Sequence, residues 1–129
     1  MNGEEARSYF LSFPEAREDF PFGNQTPVFK IKAKMFGFLR FKQGIGHINL
    51  KCNPEEVMIL RDIFEGVIPG YHMNKEHWNT VILDGSVPRE EIENMIDTSY
   101  SLVVKNLRRL DRLTLELKYG KRSIGSSDS

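Results

Sequence analysis

The middle of the chain alternates apolar and polar positions in the way a sheet requires. From residue 28 to 35, Phe29, Ile31 and Ala33 fall on one side and Lys30, Lys32 and Lys34 on the other, the period of two of a half-buried strand. Residues 36 to 42 set Gly37, Leu39 and Phe41 against Phe36, Phe38, Arg40 and Lys42, and Gln43-Gly-Ile-Gly46 supplies a turn. From His47 to Cys52, Ile48, Leu50 and Cys52 oppose His47, Asn49 and Lys51. Three such runs joined by short turns predict an antiparallel meander with one apolar face.

Spacings of three and four mark the helices. Ala6, Tyr9, Phe10 and Phe13 predict a first helix stopped by Pro14, with a further short turn around Glu15 to Asp19 and an ordered aromatic loop from Phe20 to Pro27. Asn53-Pro-Glu-Glu56 reads as a helix start, with Val57, Leu60, Ile63 and Phe64 as its buried stripe and Gly66 as its end. Thr80 to Leu83 predicts a buried strand. A long helix follows from about Pro88, with Ile92, Met95, Ile96, Tyr100, Val103, Val104 and Leu107 on one stripe. Runs of strands and runs of helices imply an α+β domain, an antiparallel sheet with helices packed on one face. For residues 108–129 two readings stay open: Leu110, Leu113 and Leu117 extend the last helix, or Leu113 to Leu117 adds a strand. The domain is expected over 1–107, with 108–129 a basic extension ending in a disordered tail at Gly125 to Ser129.

At 129 residues the chain suits one core and one domain. Its single cysteine, Cys52, excludes an internal disulfide and fits a reducing, cytoplasmic setting. No apolar run approaches the ~20 residues of a membrane span, and no apolar stretch precedes Pro14, so neither an anchor nor a secretory leader is expected. The formal net charge of zero conceals segregation. From Phe20 to Pro54 there is no acidic residue among six cations, residues 55 to 104 are strongly acidic, and residues 105 to 122 are basic again.

The stretch Pro69-Gly-Tyr-His-Met-Asn-Lys-Glu-His-Trp-Asn-Thr-Val81 resembles the signature of the MmcQ/YjbR family. Phe13-Pro-Glu-Ala16, Phe20-Pro-Phe-Gly23, Pro27-Val-Phe-Lys30, Lys34-Met-Phe36, Leu50-Lys-Cys52 and Asp97-Thr-Ser-Tyr-Ser-Leu-Val-Val104 match in the same order, across residues 6 to about 107. The resemblance implies a CyaY-like fold, related in shape to frataxin, and a role in DNA binding. Residues 108–129 depart from the usual family ending.

Two sets of residues are candidates for contact. If the strands neighbour one another, alternation gathers Lys30, Lys32, Lys34, Arg40, Lys42 and Lys51 on one basic face able to meet phosphates, with Lys75, Arg108, Arg109 and Arg112 as additions and Phe36 or Phe38 able to stack on an unpaired base. The expected function is weak DNA binding without sequence preference. The alternative is a protein-interaction or small-ligand module at Tyr71, His72, Asn74, Lys75, His77 and Trp78 with Phe22. A deep pocket lined by Phe22, His72 and Trp78 would favour a ligand, and a flat basic face would favour phosphate.

No catalytic set, metal site or cofactor is expected. The sequence has no phosphate loop, nucleophile elbow or HExxH pattern, and His72 and His77 are five apart, which suits neither a helix face nor a strand face. Frataxin-like iron binding needs carboxylates where this chain carries Lys30, Lys32 and Lys34. Cys52, alternating with Ile48 and Leu50, reads as core.

Overall fold

The computed structural model describes residues 1–125; the tail expected to be disordered falls partly on 126–129, outside the described residues. Asn2 caps the first helix, α1 (Gly3–Leu11): its side chain accepts the Glu5 N–H at 2.9 Å while the Glu5 carboxylate accepts the Asn2 N–H at 3.0 Å. The segment expected to be a turn is instead an edge strand, β1 (Arg17–Asp19), followed by β2 (Val28–Ile31), β3 (Lys34–Lys42) and β4 (Ile45–Lys51). Then come α2 (Pro54–Ile63), β5 (Val67–Pro69), β6 (Trp78–Ile82), α3 (Arg89–Lys105) and α4 (Arg109–Tyr119). The sheet is antiparallel throughout, in the order β1-β2-β3-β4-β6-β5. Among the described residues no helix is long and apolar enough to cross a membrane.

The strand expected over 28 to 35 is shorter than its alternation suggests. Lys32 adopts φ 57°, a left-handed turn conformation, and the chain reverses there, so Ile31 pairs with Lys34 in the next strand. A bulge then intervenes: Phe29 pairs with Gly37 and Lys30 with Met35, which leaves Phe36 as the extra residue. Phe36 thereby joins the core although alternation assigns it to the opposite face. Its ring meets Tyr100 edge-on at 5.1 Å and Phe10 at 5.6 Å.

The helices lie on one face, as expected. Phe10 stacks on Phe29 at 4.2 Å, Phe13 on Tyr100 at 4.6 Å, and the α3 stripe closes the layer with Ile92, Ile96, Tyr100, Val103 and Val104. Burying a large apolar side chain contributes roughly 1.5–3 kcal/mol, so this layer is the main source of stability. One expectation fails here: Ile63 of α2 is exposed, because only Val57 of that helix is fully buried and the shorter α2 leans on the sheet's β5–β6 end. Of the two readings open for the C-terminal residues the helix is the one formed, as a separate α4 that sinks Leu115, not Leu110 or Leu117, and Ile124 follows it into the core.

Candidate functional site

The register fixes what the other face of the sheet carries. Opposite the helices stand Lys30 of β2, Met35, Phe38, Arg40 and Lys42 of β3, His47, Asn49 and Lys51 of β4, and Trp78 and Thr80 of β6. This outer face is not a flat solvated surface. Phe38, His47, Asn49, Trp78 and Thr80 are all buried, Asn49 and Thr80 completely. The loop 20–27 and the segment 70–77 rise on either side of it.

The segment 70–77 is held by directed hydrogen bonds. The Tyr71 N–H donates to Asn49 Oδ1 at 2.9 Å and to Thr80 Oγ1 at 3.1 Å, and the Thr80 hydroxyl donates to the same Asn49 oxygen at 2.7 Å. The Lys75 ammonium donates to the Gly70 carbonyl at 3.2 Å, the Asn74 side chain accepts the Glu76 N–H at 2.9 Å, and the Asn74 carbonyl accepts the Trp78 N–H at 3.0 Å. From α2, the Arg61 guanidinium donates to Asn79 Oδ1 at 2.7 Å and to the carbonyls of Lys75 and Trp78. Gly70 packs so close to Trp78 that a Cβ would stand 2.8 Å from the Trp78 Cβ. Asn74, Lys75, His77 and Trp78 therefore serve the bend itself, with the His77 carbonyl accepting the Cys52 N–H at 2.7 Å. Tyr71 and His72 are left to face outward.

Between the two walls lies a cleft of about 560 Å³. Phe22 and Phe38, edge to face at 6.4 Å, form one side, and Tyr71, His72 and Met73 form the other. The His72 ring meets Tyr71 at 4.2 Å from a backbone with φ 54°, in the left-handed region. Of the residues expected to line a pocket, Phe22 and His72 do so, while Trp78 sits in the sheet beneath. Thr26, Met35 and Met73, also in the lining, carried no signal in the sequence beyond lying beside aromatic residues.

Arg40 is the charged group of the cleft. The Tyr71 ring lies over its guanidinium, 3.7 Å from Cζ to the centroid. Among the described residues it has no carboxylate within 4.0 Å, and its buried Nε has no hydrogen-bond partner. The Nδ2 of buried Asn49, one strand over on the same face, also lacks an acceptor among the described residues. Each such buried donor costs about 1–3 kcal/mol.

The remaining basic candidates are dispersed. Lys30 pairs with Asp19 at 2.9 Å and holds that carboxyl below its usual range. Lys32, in the turn, pairs with Glu15 at 3.0 Å. Lys34, opposite Ile31, takes the helix side by register. Arg108 pairs with Asp111 at 3.1 Å, Arg112 lies 3.9 Å from Glu116, and exposed Arg109 belongs to the same helix layer. Of the candidates on the strands, Arg40, Lys42 and Lys51 remain on the outer face without a carboxylate partner among the described residues, while Lys75 is taken up by the Gly70 carbonyl. The contiguous lysine face is thus corrected: the hairpin turn and the bulge divide it between two sides of the sheet.

Among the described residues no group of three or more His, Cys, Asp or Glu side chains is placed to hold a metal ion. Cys52 is buried, and burial pushes its thiol above the ordinary range.

Comparison with known proteins gives this architecture its relatives. The protein YbdF of Escherichia coli O157:H7 is 34% identical over 109 residues, 84% of this chain and 89% of its own, and YjbR of Escherichia coli K12 is 31% identical over 107 residues, 83% and 91%. The crystal structure of the Deinococcus radiodurans protein DR2400, a DUF419 domain, superposes with a TM-score of 0.79 at 33% identity, covering 98% of this chain and 89% of that one. A Pseudomonas syringae protein superposes with a TM-score of 0.70 at 31% identity, covering 79% of this chain and 98% of its own. The YjbR sequence profile matches residues 11–102, a span that contains every residue lining the cleft, and the chain is therefore a member of the YjbR family.

Proposed function

We propose that this domain is a binding module whose ligand is a small organic molecule seated in the outer-face cleft, between the Phe22 loop and Tyr71 to Met73. One observation carries the reading: aromatic walls enclose a half-buried guanidinium that has no acidic partner among the described residues. The volume of about 560 Å³ lies within the 300–1,000 Å³ typical of small-molecule sites, which combine apolar walls with a few polar groups. The reading includes a cytoplasmic setting, in which Cys52 stays reduced, and no catalysis or resident cofactor.

A second reading, single-stranded DNA, is favoured by the position of Lys42 and Lys51 on the same face as the cleft. A base would stack on Phe22 or Phe38 while these cations meet the backbone.

The test is ligand-observed NMR with a set of aromatic fragments on the wild-type protein and on Thr26→Trp, which fills the cleft from its rim. Binding that shifts the amides of Phe22, Phe38 and Tyr71 to Met73, and that Thr26→Trp abolishes, is the expected result. Fragments that bind elsewhere, or that ignore Thr26→Trp, overturn the reading.

A further inference from the structure

We infer that the cleft selects an organic anion: a carboxylate or phosphate head on a flat aromatic body. The inference rests on the cleft being a ligand site and adds the chemistry of what fills it.

The head follows from charge. Arg40 is half-buried and lines the cleft, and neither an ion pair nor a hydrogen bond to a described residue uses its guanidinium. An Arg in low-dielectric surroundings is ordinarily compensated by a carboxylate or by carbonyl groups, because desolvating the charge is unfavourable without them. The other partly buried arginines among the described residues follow it: Arg61 donates to Asn79 and to two carbonyls, and Arg112 lies 3.9 Å from Glu116 and donates to the Lys105 carbonyl. Arg40 departs from it at the one place where an aromatic-walled cleft reaches the sheet. Two buried side-chain donors lack partners among the described residues, Arg40 Nε and Asn49 Nδ2, on neighbouring strands of this face; of the two, Arg40 lines the cleft, and what it lacks there is an acceptor. A planar guanidinium pairs in bidentate fashion with a carboxylate or a phosphate.

The body follows from the walls. Phe22, Phe38, Tyr71 and His72 present ring faces and edges, and Met73 supplies a deformable sulfur side chain. Such walls favour a flat ring system, stacked or edge-on, over a branched aliphatic chain. Tyr71 couples the two parts, since its ring covers Arg40 and its N–H is anchored on Asn49.

The experiment compares three probes of one shape, 2-naphthoate, 2-naphthyl phosphate and the neutral 2-naphthylmethanol, by calorimetry and NMR. The expected result is that at least one anion binds roughly tenfold or more tighter than the alcohol, as a charge-assisted hydrogen-bonded pair gives. The tighter of the two anions assigns the head. Arg40→Gln, with a native amide spectrum, is expected to erase the preference, so that anion and alcohol bind alike. Salt gives a reading free of mutation: raising NaCl weakens the anion and spares the alcohol. Equal binding of anion and alcohol in the cleft overturns the anion inference and leaves the ligand site standing. No binding of any probe overturns both.

Discussion

The Ser99 hydroxyl of α3 donates to the Phe36 carbonyl at the β3 bulge and accepts the Lys51 N–H at 2.9 Å. Gly37 pairs with Leu50, so Phe36 and Lys51 would be the next rung of the ladder, and the serine stands between them in its place. Replacing Ser99 with Ala removes both bonds and leaves a partly buried N–H and a buried C=O unsatisfied. The expected loss is about 2–4 kcal/mol of unfolding free energy. Thr114→Ala, at an exposed hydroxyl of α4, is the control and should change stability by less than ~0.5 kcal/mol. Urea titration of both variants checks this; equal stabilities would remove the serine from the bulge's support.

Gly37 is the second support of the same region. A Cβ there would stand 2.3 Å from Phe10 Cε1, and the Phe10 ring is held by its stack on Phe29. Gly37→Ala is expected to destabilise by about 1–3 kcal/mol through displacement of α1 from the sheet. Thermal unfolding followed by near-UV circular dichroism reads both the loss and the disturbed aromatic packing.

These two positions show where the sequence is legible and where it stops being so. Alternation and helical spacing disclose the helices and the central strands because burial of one face imposes those periods, and the α3 stripe from Ile92 to Val104 is buried as its spacing requires. The turn at Lys32 and the bulge at Phe36 break the period without changing composition, so Lys34 and Phe36 are assigned to the wrong sides and Lys32 to a strand it does not join. Edge strands of three residues, Arg17–Asp19 and Val67–Pro69, are too short to show a period at all. In the site, the density of aromatic and polar groups from Tyr71 to Asn79 marks an ordered segment. Its division into structural residues and residues open to the cleft depends on Arg61 and Asn49, which reach it from distant parts of the chain. The polar alternation of His47 and Asn49 reads as solvent-facing, yet both are buried beneath the loops.

Part of the acid sensitivity is expected at Glu15, the carboxylate that joins two elements of the fold. Its carboxylate accepts a hydrogen bond from Lys32 at 3.0 Å and lies 3.7 Å from Lys118, so it joins the β2–β3 turn to α4. The bond to Lys32 and the nearby charges hold its carboxyl below the usual range, against the opposing effect of burial. A folded-state value below the unfolded one means that the unfolded chain binds the proton more tightly. The stabilisation is present above the ordinary carboxylate range and disappears as pH falls through the lowered folded-state value. Glu15→Gln should therefore be less stable than wild type near neutral pH and lose less on acidification, with the difference between the two proteins closing as pH falls through the lowered folded-state value. Urea titrations across this range test it; a constant difference between them would assign the effect to packing.

Cys52 should be inert in the folded protein. It is buried, and desolvation together with the Glu56 carboxylate raises its thiol, so little thiolate forms at neutral pH. A disulfide-exchange reagent is expected to label it at the rate of unfolding, with rapid labelling only in denaturant. Fast labelling of the native protein would reopen the question of a reactive thiol.

The salt dependence of nucleic-acid binding separates the outer face from the rest of the positive charge. With Arg40, Lys42 and Lys51 as the cations without acidic partners on that face, single-stranded DNA should bind with a slope of log K against log salt of about −2, from ~0.7 per phosphate neutralised. A face built from all ten basic candidates would give about −7. Lys42→Ala is then expected to make the slope shallower by ~0.7, whereas Lys32→Ala and Arg108→Ala, which remove cations already paired with Glu15 and Asp111, should leave it unchanged. Anisotropy titrations at several salt concentrations decide between these. A steep slope that responds to Arg108 would move the interface to the helix layer, while a shallow one that vanishes in Thr26→Trp would mean that nucleic acid and small ligand compete for the same cleft.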